Sequence, residues 1–118
     1  MRSSALAGLF FTVACSRPGP QICPNDLPPL CPSPAPTFSG DVAPLIQRLC
    51  AGCHSADGEE PTPSLVTYDS ITGTMDSTAR MLETQLVQCR MPPLGEPQLT
   101  AEERQKILGW LVCGAKND

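Results

Sequence analysis

The chain has 118 residues, a formal net charge of −4 and 4% aromatic residues, together with seven cysteines and 14 prolines. This length excludes a multidomain enzyme, and the acidic balance excludes a basic nucleic-acid binder. Its apolar runs are too short for a polytopic membrane protein. So small a domain needs disulfides, a metal or a covalent cofactor to offset the conformational entropy lost on folding.

Residues 1–14 are predicted to be an export signal. Arg2 precedes an apolar run of about ten residues, too short to span a hydrocarbon core of ~30 Å. The run ends in Thr-Val-Ala-Cys, which resembles a bacterial lipoprotein signal in which Cys15 would carry the lipid. The alternatives are a plain secretory signal and a retained hydrophobic N-terminus. An exported chain would lie at the periplasmic face of a bacterial membrane, and Ser16 favours the outer membrane.

Residues 15–38 are predicted to be a proline-rich linker. Eight of the 22 residues from 16 to 37 are proline, which favours an extended, disordered tether that buries almost nothing. Alternatively, this segment is a recognition motif that binds an aromatic groove on a partner protein. Cys23 and Cys31 lie within the linker and could close a small loop.

Residues 39–118 are predicted to form an all-α domain of about three helices with long loops. The first helix spans 41–49, the second starts at Asp76 or Ser77 and ends near Gln88, and the third follows the capping box Thr100-Ala-Glu-Glu103. Residues 64–71 could hold an extended piece. The predicted buried positions are Val42, Leu45, Ile46, Leu49, Met81, Leu82, Leu86, Val87, Ile107, Leu108, Leu111 and Val112.

The sequence Cys50-Ala-Gly-Cys53-His54 follows directly on the first helix. CxxCH is the attachment sequence for c-type haem: two thiols one helical turn apart add to the porphyrin vinyl groups, and the histidine ligates the iron. Zinc binding is an alternative, although the usual distant second ligand pair is missing. A thiol-redox site is another alternative, although such a site is expected beside a βαβ pattern, which this sequence lacks.

The sixth iron ligand would be a methionine sulfur, which raises the reduction potential. Met91 is the leading candidate because the two prolines that follow it stiffen its loop. Met75 and an open or water-bound position are the alternatives. Met81 is predicted to be a core residue because it falls on a helical apolar face.

With these motifs together, the domain resembles the small class I cytochromes c, particularly the single-haem domains of exported bacterial lipoproteins. The resemblance covers Phe38 to Asn117 and rests on CxxCH, on Met-Pro-Pro some 37 residues later, and on the Leu-Thr-x-x-Glu…Ile-Leu-Gly-Trp-Leu helix. It implies a fold built around one covalent haem. In that fold Cys50 and Cys53 would form the thioethers, His54 would be the proximal ligand and Met91 the distal one.

The resemblance also implies that the first and last helices cross beside the haem, often at a glycine and an aromatic residue. Gly40 or Gly109, with Phe38 and Trp110, could supply that crossing. Trp110 is expected to be a helical packing residue. A hydrogen bond from its indole to a haem propionate is the alternative.

Four cysteines remain once one is assigned to lipid and two to haem, and four allow three pairings. The most local choice is Cys23–Cys31 with Cys89–Cys113. The second bridge would tie the methionine loop to the last helix. In the alternative, Cys89 and Cys113 are buried thiols.

The function expected is that of a lipid-anchored monohaem cytochrome c, which passes single electrons between redox proteins of the cell envelope and is not itself an enzyme. Two other functions remain open: an open-site haem domain with a sensory or peroxidase-like role, and a structural envelope lipoprotein without haem. Glu59 and Glu60 are expected to form a solvated face, or else a docking patch for a basic redox partner.

Overall fold

A computed structural model describes residues 22–73 and 77–118. Over these ranges the chain forms four α-helices and no strand, so the all-α prediction is confirmed there. The predicted export signal, Cys15 and Met75 lie outside the described residues.

The first helix begins with a π-helical turn, Phe38–Val42, and continues as α1, Ala43–Leu49. Thr37 caps its start, because the Thr37 hydroxyl accepts a hydrogen bond from the Gly40 N–H at 3.2 Å. The Asp41 carboxylate in turn accepts from the Thr37 N–H at 2.9 Å. These two bonds fix the point at which the proline-rich segment becomes helical.

A short helix, α2 (Tyr68–Thr72), lies where the sequence suggested an extended piece. That expectation fails from Tyr68 onward, because Thr67 and Ser70 form a reciprocal capping box. Each hydroxyl accepts a hydrogen bond from the other residue's N–H, at 3.1 Å and 3.0 Å. The box starts a helix in a segment too short for apolar periodicity to reveal.

Two longer helices follow, α3 (Ser77–Val87) and α4 (Ala101–Val112), close to their predicted bounds. The capping box of α4 is confirmed. The Glu103 N–H donates to the Thr100 hydroxyl at 3.2 Å, and the Thr100 N–H donates to the Glu103 carboxylate at 2.9 Å. Gly114, at φ +90°, follows the end of α4 in the left-handed conformation that glycine favours.

The described core is formed by one cluster of buried apolar side chains: Val42, Leu45, Ile46, Leu65, Ile71, Leu82, Leu86, Ile107, Leu108 and Trp110. Most predicted positions are among them, and Leu49, Val87, Leu111 and Val112 are partly buried. Met81 is a correction, since its side chain is 46% exposed. The buried stripe of α3 runs through Thr78, Leu82 and Leu86, four residues apart, and Met81 lies about 100° away from it.

An aromatic cluster joins the first helical turn to α4. The ring centroid of Phe38 lies 5.4 Å from that of Trp110 and 5.2 Å from that of Tyr68. The indole N–H of Trp110 donates to the backbone carbonyl of Lys116 at 2.8 Å. The packing role expected for Trp110 is therefore observed, and its N–H is used within the protein.

The proline-rich residues 22–37, here called the N-terminal strap, are bonded to the helical part by two disulfides. Cys23 pairs with Cys89 and Cys31 pairs with Cys113. The predicted local pairing, Cys23–Cys31 with Cys89–Cys113, is therefore wrong. It assumed that the strap folds on itself, whereas the strap lies along α4 and its cysteines meet partners 66 and 82 residues away.

The strap also makes a polar contact with α4. The Asp26 carboxylate accepts two hydrogen bonds from the Arg104 guanidinium, at 2.6 Å and 3.0 Å. The Gln105 amide donates to the Asp26 carbonyl at 2.6 Å. Although most strap side chains are exposed, the prediction of a disordered tether is wrong for residues 22–37, because these bonds and the disulfides fix them.

Gly109 of α4 meets the strap rather than a crossing helix. A Cβ at Gly109 would lie 3.0 Å from Cγ of Pro32 and 3.2 Å from Cγ of Pro36. Gln105, Gly109 and Cys113 are four residues apart, so they share one face of α4. That face is the one that the strap covers.

Candidate functional site

The CxxCH sequence extends the first helix by one more turn. The N–H groups of Cys50 and Ala51 both donate to the Ile46 carbonyl at 2.9 Å. The Cys50 carbonyl then accepts from the N–H groups of Cys53 at 3.2 Å and His54 at 2.9 Å. The two cysteines and the histidine are thus presented from one helical turn at the end of α1.

The segment after the motif folds back onto it through backbone hydrogen bonds. The Cys53 carbonyl accepts from the Glu60 N–H at 3.0 Å, and the His54 carbonyl accepts from the Leu65 N–H at 2.9 Å. Gly58 lies against this turn, where a Cβ would be 2.0 Å from the Cys53 carbonyl oxygen. Only glycine permits so close an approach of two backbone segments.

The ring of His54 is oriented by this loop. Its Nδ1 lies 3.1 Å from the Pro63 carbonyl oxygen. A carbonyl can only accept a hydrogen bond, so Nδ1 carries the hydrogen in this contact. In the neutral ring Nε2 then keeps its lone pair, which is the arrangement found in histidines that ligate a metal.

Cys50 and Cys53 are unpaired, whereas Cys23, Cys31, Cys89 and Cys113 are all in disulfides. Burial, followed by the neighbouring Cys53, raises the pKa of the Cys50 thiol to about 11. A thiol-redox cysteine requires the opposite shift, because the thiolate is the reactive form. This pKa therefore disfavours the thiol-redox alternative.

The zinc alternative also gains no support. Among residues 22–73 and 77–118, no group of three His, Cys, Asp or Glu side chains is arranged to hold a metal ion.

Met91 lies in a loop between α3 and α4, and is partly buried. The loop's carbonyls are held by one side chain: the Gln98 amide donates to the carbonyl of Pro93 at 2.8 Å and of Glu96 at 2.9 Å. Met91 also lines a cavity of about 280 Å3. None of Cys50, Cys53 and His54 is among the residues that line that cavity.

Sequence reasoning missed three features of this region: the Pro63 carbonyl, the close approach of Gly58, and the buried Arg104. Arg104 did carry a signal, because it falls four residues before Leu108 on the apolar stripe of α4. Asp26 is the only acidic residue of the strap and was its natural partner. The Pro63 and Gly58 contacts depend on how a loop folds back, which leaves no periodic signature.

The chain matches no protein-family model, and no curated protein or solved structure shows significant similarity to it. Within the two described ranges, no helix combines the length and apolar character that a membrane span needs.

Proposed function

We propose that the chain is a c-type monohaem electron carrier resembling class I cytochromes c. The observation that carries the proposal is the CxxCH turn itself. Its two thiols are the only unpaired ones among the described cysteines, and its histidine follows at once with Nδ1 bonded to the Pro63 carbonyl. The haem iron would supply one-electron chemistry, cycling between the ferric and ferrous states.

The residues present fit such a group. Cys50 and Cys53 would form its thioether bonds, and His54 would offer Nε2 to the iron. The Pro63 carbonyl holds the His54 ring by its other nitrogen, which fixes the ring's orientation and raises its basicity as a ligand. Met91 would be the second protein ligand to the iron.

The protein's own contribution is to bind, orient and exclude water. The backbone bonds from Glu60 and Leu65 hold the motif turn in place. The core beside it, including Leu65 and Ile46, is buried and keeps water away. No acid–base or nucleophilic step is required of any side chain, so the proposal is for a carrier and not an enzyme.

The decisive experiment is a haem stain after denaturing electrophoresis, with expression in cells that contain the attachment machinery. The wild-type chain is expected to retain the stain. The Cys50→Ala/Cys53→Ala variant is expected to lose it, while the Cys31→Ala/Cys113→Ala variant serves as a control for loss of two cysteines. An unstained wild-type chain would refute the haem proposal and favour a structural envelope protein.

A second candidate is an open-site haem domain, in which Met91 does not bind the iron and the site binds a small gas or activates peroxide. The cavity that Met91 lines contains no residue of the CxxCH turn. Spectra of the reduced protein with and without carbon monoxide separate the two functions. A methionine-closed site should barely respond, whereas an open site should show a new ligand-bound spectrum.

The proposed setting is the periplasmic face of a bacterial membrane, with lipid on Cys15. Incorporation of labelled palmitate, and its loss in Cys15→Ser, tests the anchor.

The proposed partners are redox proteins of the envelope, and nucleic acid is not among them. Asp57, Glu59 and Glu60 are exposed just after the motif. If they dock a basic partner, the electron-transfer rate should fall as ionic strength rises.

A further inference from the structure

The loop that carries Met91, residues 90–95, leaves α3 through an unusual residue. Cys89 adopts φ +53°, a left-handed conformation that is uncommon for residues other than glycine and asparagine. The N–H groups of Arg90 and Met91 then turn back to the Gln85 carbonyl, at 2.9 Å and 3.4 Å. Cys89 is held in this conformation next to its disulfide with Cys23.

The strap fixes the base of that loop from outside. The Cys23–Cys89 bond lies two residues before Met91, so the strap and the loop share a covalent connection. Three residues after Cys23, Asp26 is bonded twice to Arg104 and once, through its carbonyl, to Gln105. The strap therefore joins the loop to the first turns of α4.

Strap, loop and α4 also meet around one space. The cavity of about 280 Å3 is lined by strap residues Pro24 and Asp26, loop residues Met91 and Pro92, and Arg104 of α4. Arg104 is 7% exposed, so its charge depends on Asp26 for compensation. Displacement of the strap would open this space and remove support from one side of the loop.

We propose that the strap is the positioning element of the Met91 loop, with Cys23 and Asp26 as its positioning residues. Cys23 and Asp26, which precede the CxxCH motif by more than twenty residues, thus govern the loop that carries the proposed sixth ligand. The consequence for iron ligation rests on the proposed function. The consequence for the loop itself does not.

The two disulfides allow a matched test on the full chain. The Cys23→Ala/Cys89→Ala variant releases the strap next to Met91, and the Cys31→Ala/Cys113→Ala variant releases it at the far end of α4. Hydrogen exchange is measured at the backbone amides of residues 90–99. Local opening should accelerate exchange there by about tenfold or more in the first variant and by much less in the second. Equal acceleration in both variants, or none in either, would overturn the proposal.

Asp26→Asn supplies a second variant that retains both disulfides and therefore does not depend on tolerance of their loss. It weakens the contact with Arg104 and should accelerate exchange in the same residues, by a smaller factor. Protection of residues 90–99 as complete as in the wild type would contradict the role assigned to Asp26.

On haem-loaded protein the readout is the absorbance band of methionine-ligated ferric haem, together with the response of the reduced form to carbon monoxide. Cys23→Ala/Cys89→Ala is expected to weaken the band and admit carbon monoxide while the covalent haem stain persists. A band as strong as in the wild type would overturn the ligation consequence. Failure of the proposed function appears separately, as an unstained wild-type chain, and leaves the exchange experiment decisive for the loop.

Discussion

The strap and the CxxCH loop are held by different kinds of bond. The strap has little apolar burial and is secured by two disulfides and an ion pair in which Arg104 is buried. The CxxCH loop has two free thiols and is secured by backbone hydrogen bonds and the His54–Pro63 contact. The cysteines of the strap are all bonded within the polypeptide, while the CxxCH loop keeps two free thiols, which are the proposed haem attachment points.

The difference indicates how stabilising covalent bonds are distributed in a domain this small. The disulfides are placed where the chain would otherwise have only proline and solvent. The motif loop has no disulfide, and its two free cysteines are the ones proposed to bond a haem, which would be the third covalent support. The two regions can therefore be weakened separately, by removing disulfides or the ion pair in the strap and by crowding the backbone in the CxxCH loop.

The largest effect is expected from the disulfides. Each closes a long loop, since the paired positions are 66 and 82 residues apart in sequence, and removing either should cost about 4 kcal/mol in the chain-entropy model. Urea unfolding of the wild type with and without reductant measures this. A variant lacking Cys23, Cys31, Cys89 and Cys113 should unfold at the same urea concentration with and without reductant. An equally large loss of stability on reduction of that variant would show that the two disulfides are not its cause.

The ion pair between strap and helix comes next. Asp26→Ala should destabilise the fold by about 3 kcal/mol, because the charged Arg104 would stay buried without a partner. The double variant Asp26→Ala/Arg104→Met should recover most of that loss. Urea unfolding of all four members of the cycle gives the coupling energy, and simple additivity would show that the pair does not act as a unit.

In the motif region, Gly58→Ala should destabilise the loop by about 2 kcal/mol, because a methyl group cannot fit beside the Cys53 carbonyl. Gly52→Ala is the matched control, since a Cβ there would meet nothing within 4 Å. Hydrogen exchange of the Leu65 amide, which bonds the His54 carbonyl, reports the loosening. Similar exchange in both variants would mean that the loop tolerates the shift.

Acid should loosen the helix starts while the strap stays covalently closed. The hydrogen bond from the Thr100 N–H, helped by Arg48, lowers the pKa of Glu103, and the bond from the Thr37 N–H lowers the pKa of Asp41. A lowered folded-state pKa stabilises the fold above the unfolded pKa of about 4, and this contribution disappears as pH falls through the folded value. Urea midpoints from pH 7 to pH 3 should therefore vary less in Glu103→Gln and Asp41→Asn than in the wild type. If the urea midpoint changed with pH equally in the wild type and both variants, these two carboxylates would not be the source of the acid sensitivity.

The smallest effect is expected at Gly109, where two contributions oppose each other. Alanine should favour the helix by about 1 kcal/mol over glycine, but its Cβ would crowd Pro32 and Pro36. Gly109→Ala should thus be nearly neutral in the wild type and stabilising in Cys31→Ala/Cys113→Ala, where the strap can move. Urea unfolding compares the two backgrounds. The same gain in both would show that the prolines do not press on α4.

Local patterns predicted much of the helical architecture. The capping box at Thr100 and Glu103 gave the start of α4, because both partners are three residues apart in the sequence. The second predicted helix is observed from Ser77, and its end was placed within one residue. The α2 helix was missed because its capping box has serine at the third helical position and the whole helix is only five residues long.

The disulfide pairing could not be predicted in the same way. Four cysteines allow three pairings, and proximity along the chain favoured the wrong one. The contact between Asp26 of the strap and Arg104 of α4, which accompanies the observed pairing, joins residues 78 apart. The candidate site is divided likewise: Cys50, Cys53 and His54 are neighbours in sequence and come together, whereas the contact between His54 and Pro63 required the three-dimensional loop.

The bond between Cys23 and Cys89 also sets how far the domain could travel from a membrane anchor at Cys15, where lipid is proposed. A free linker from Cys15 to Ser39 could extend to about 80 Å, at ~3.5 Å per residue. With Cys23 bonded to the domain, eight residues remain, which reach about 28 Å at most. The volume that the domain could search shrinks about twentyfold, so the proposed electron transfer would be limited to partners held near the same membrane surface.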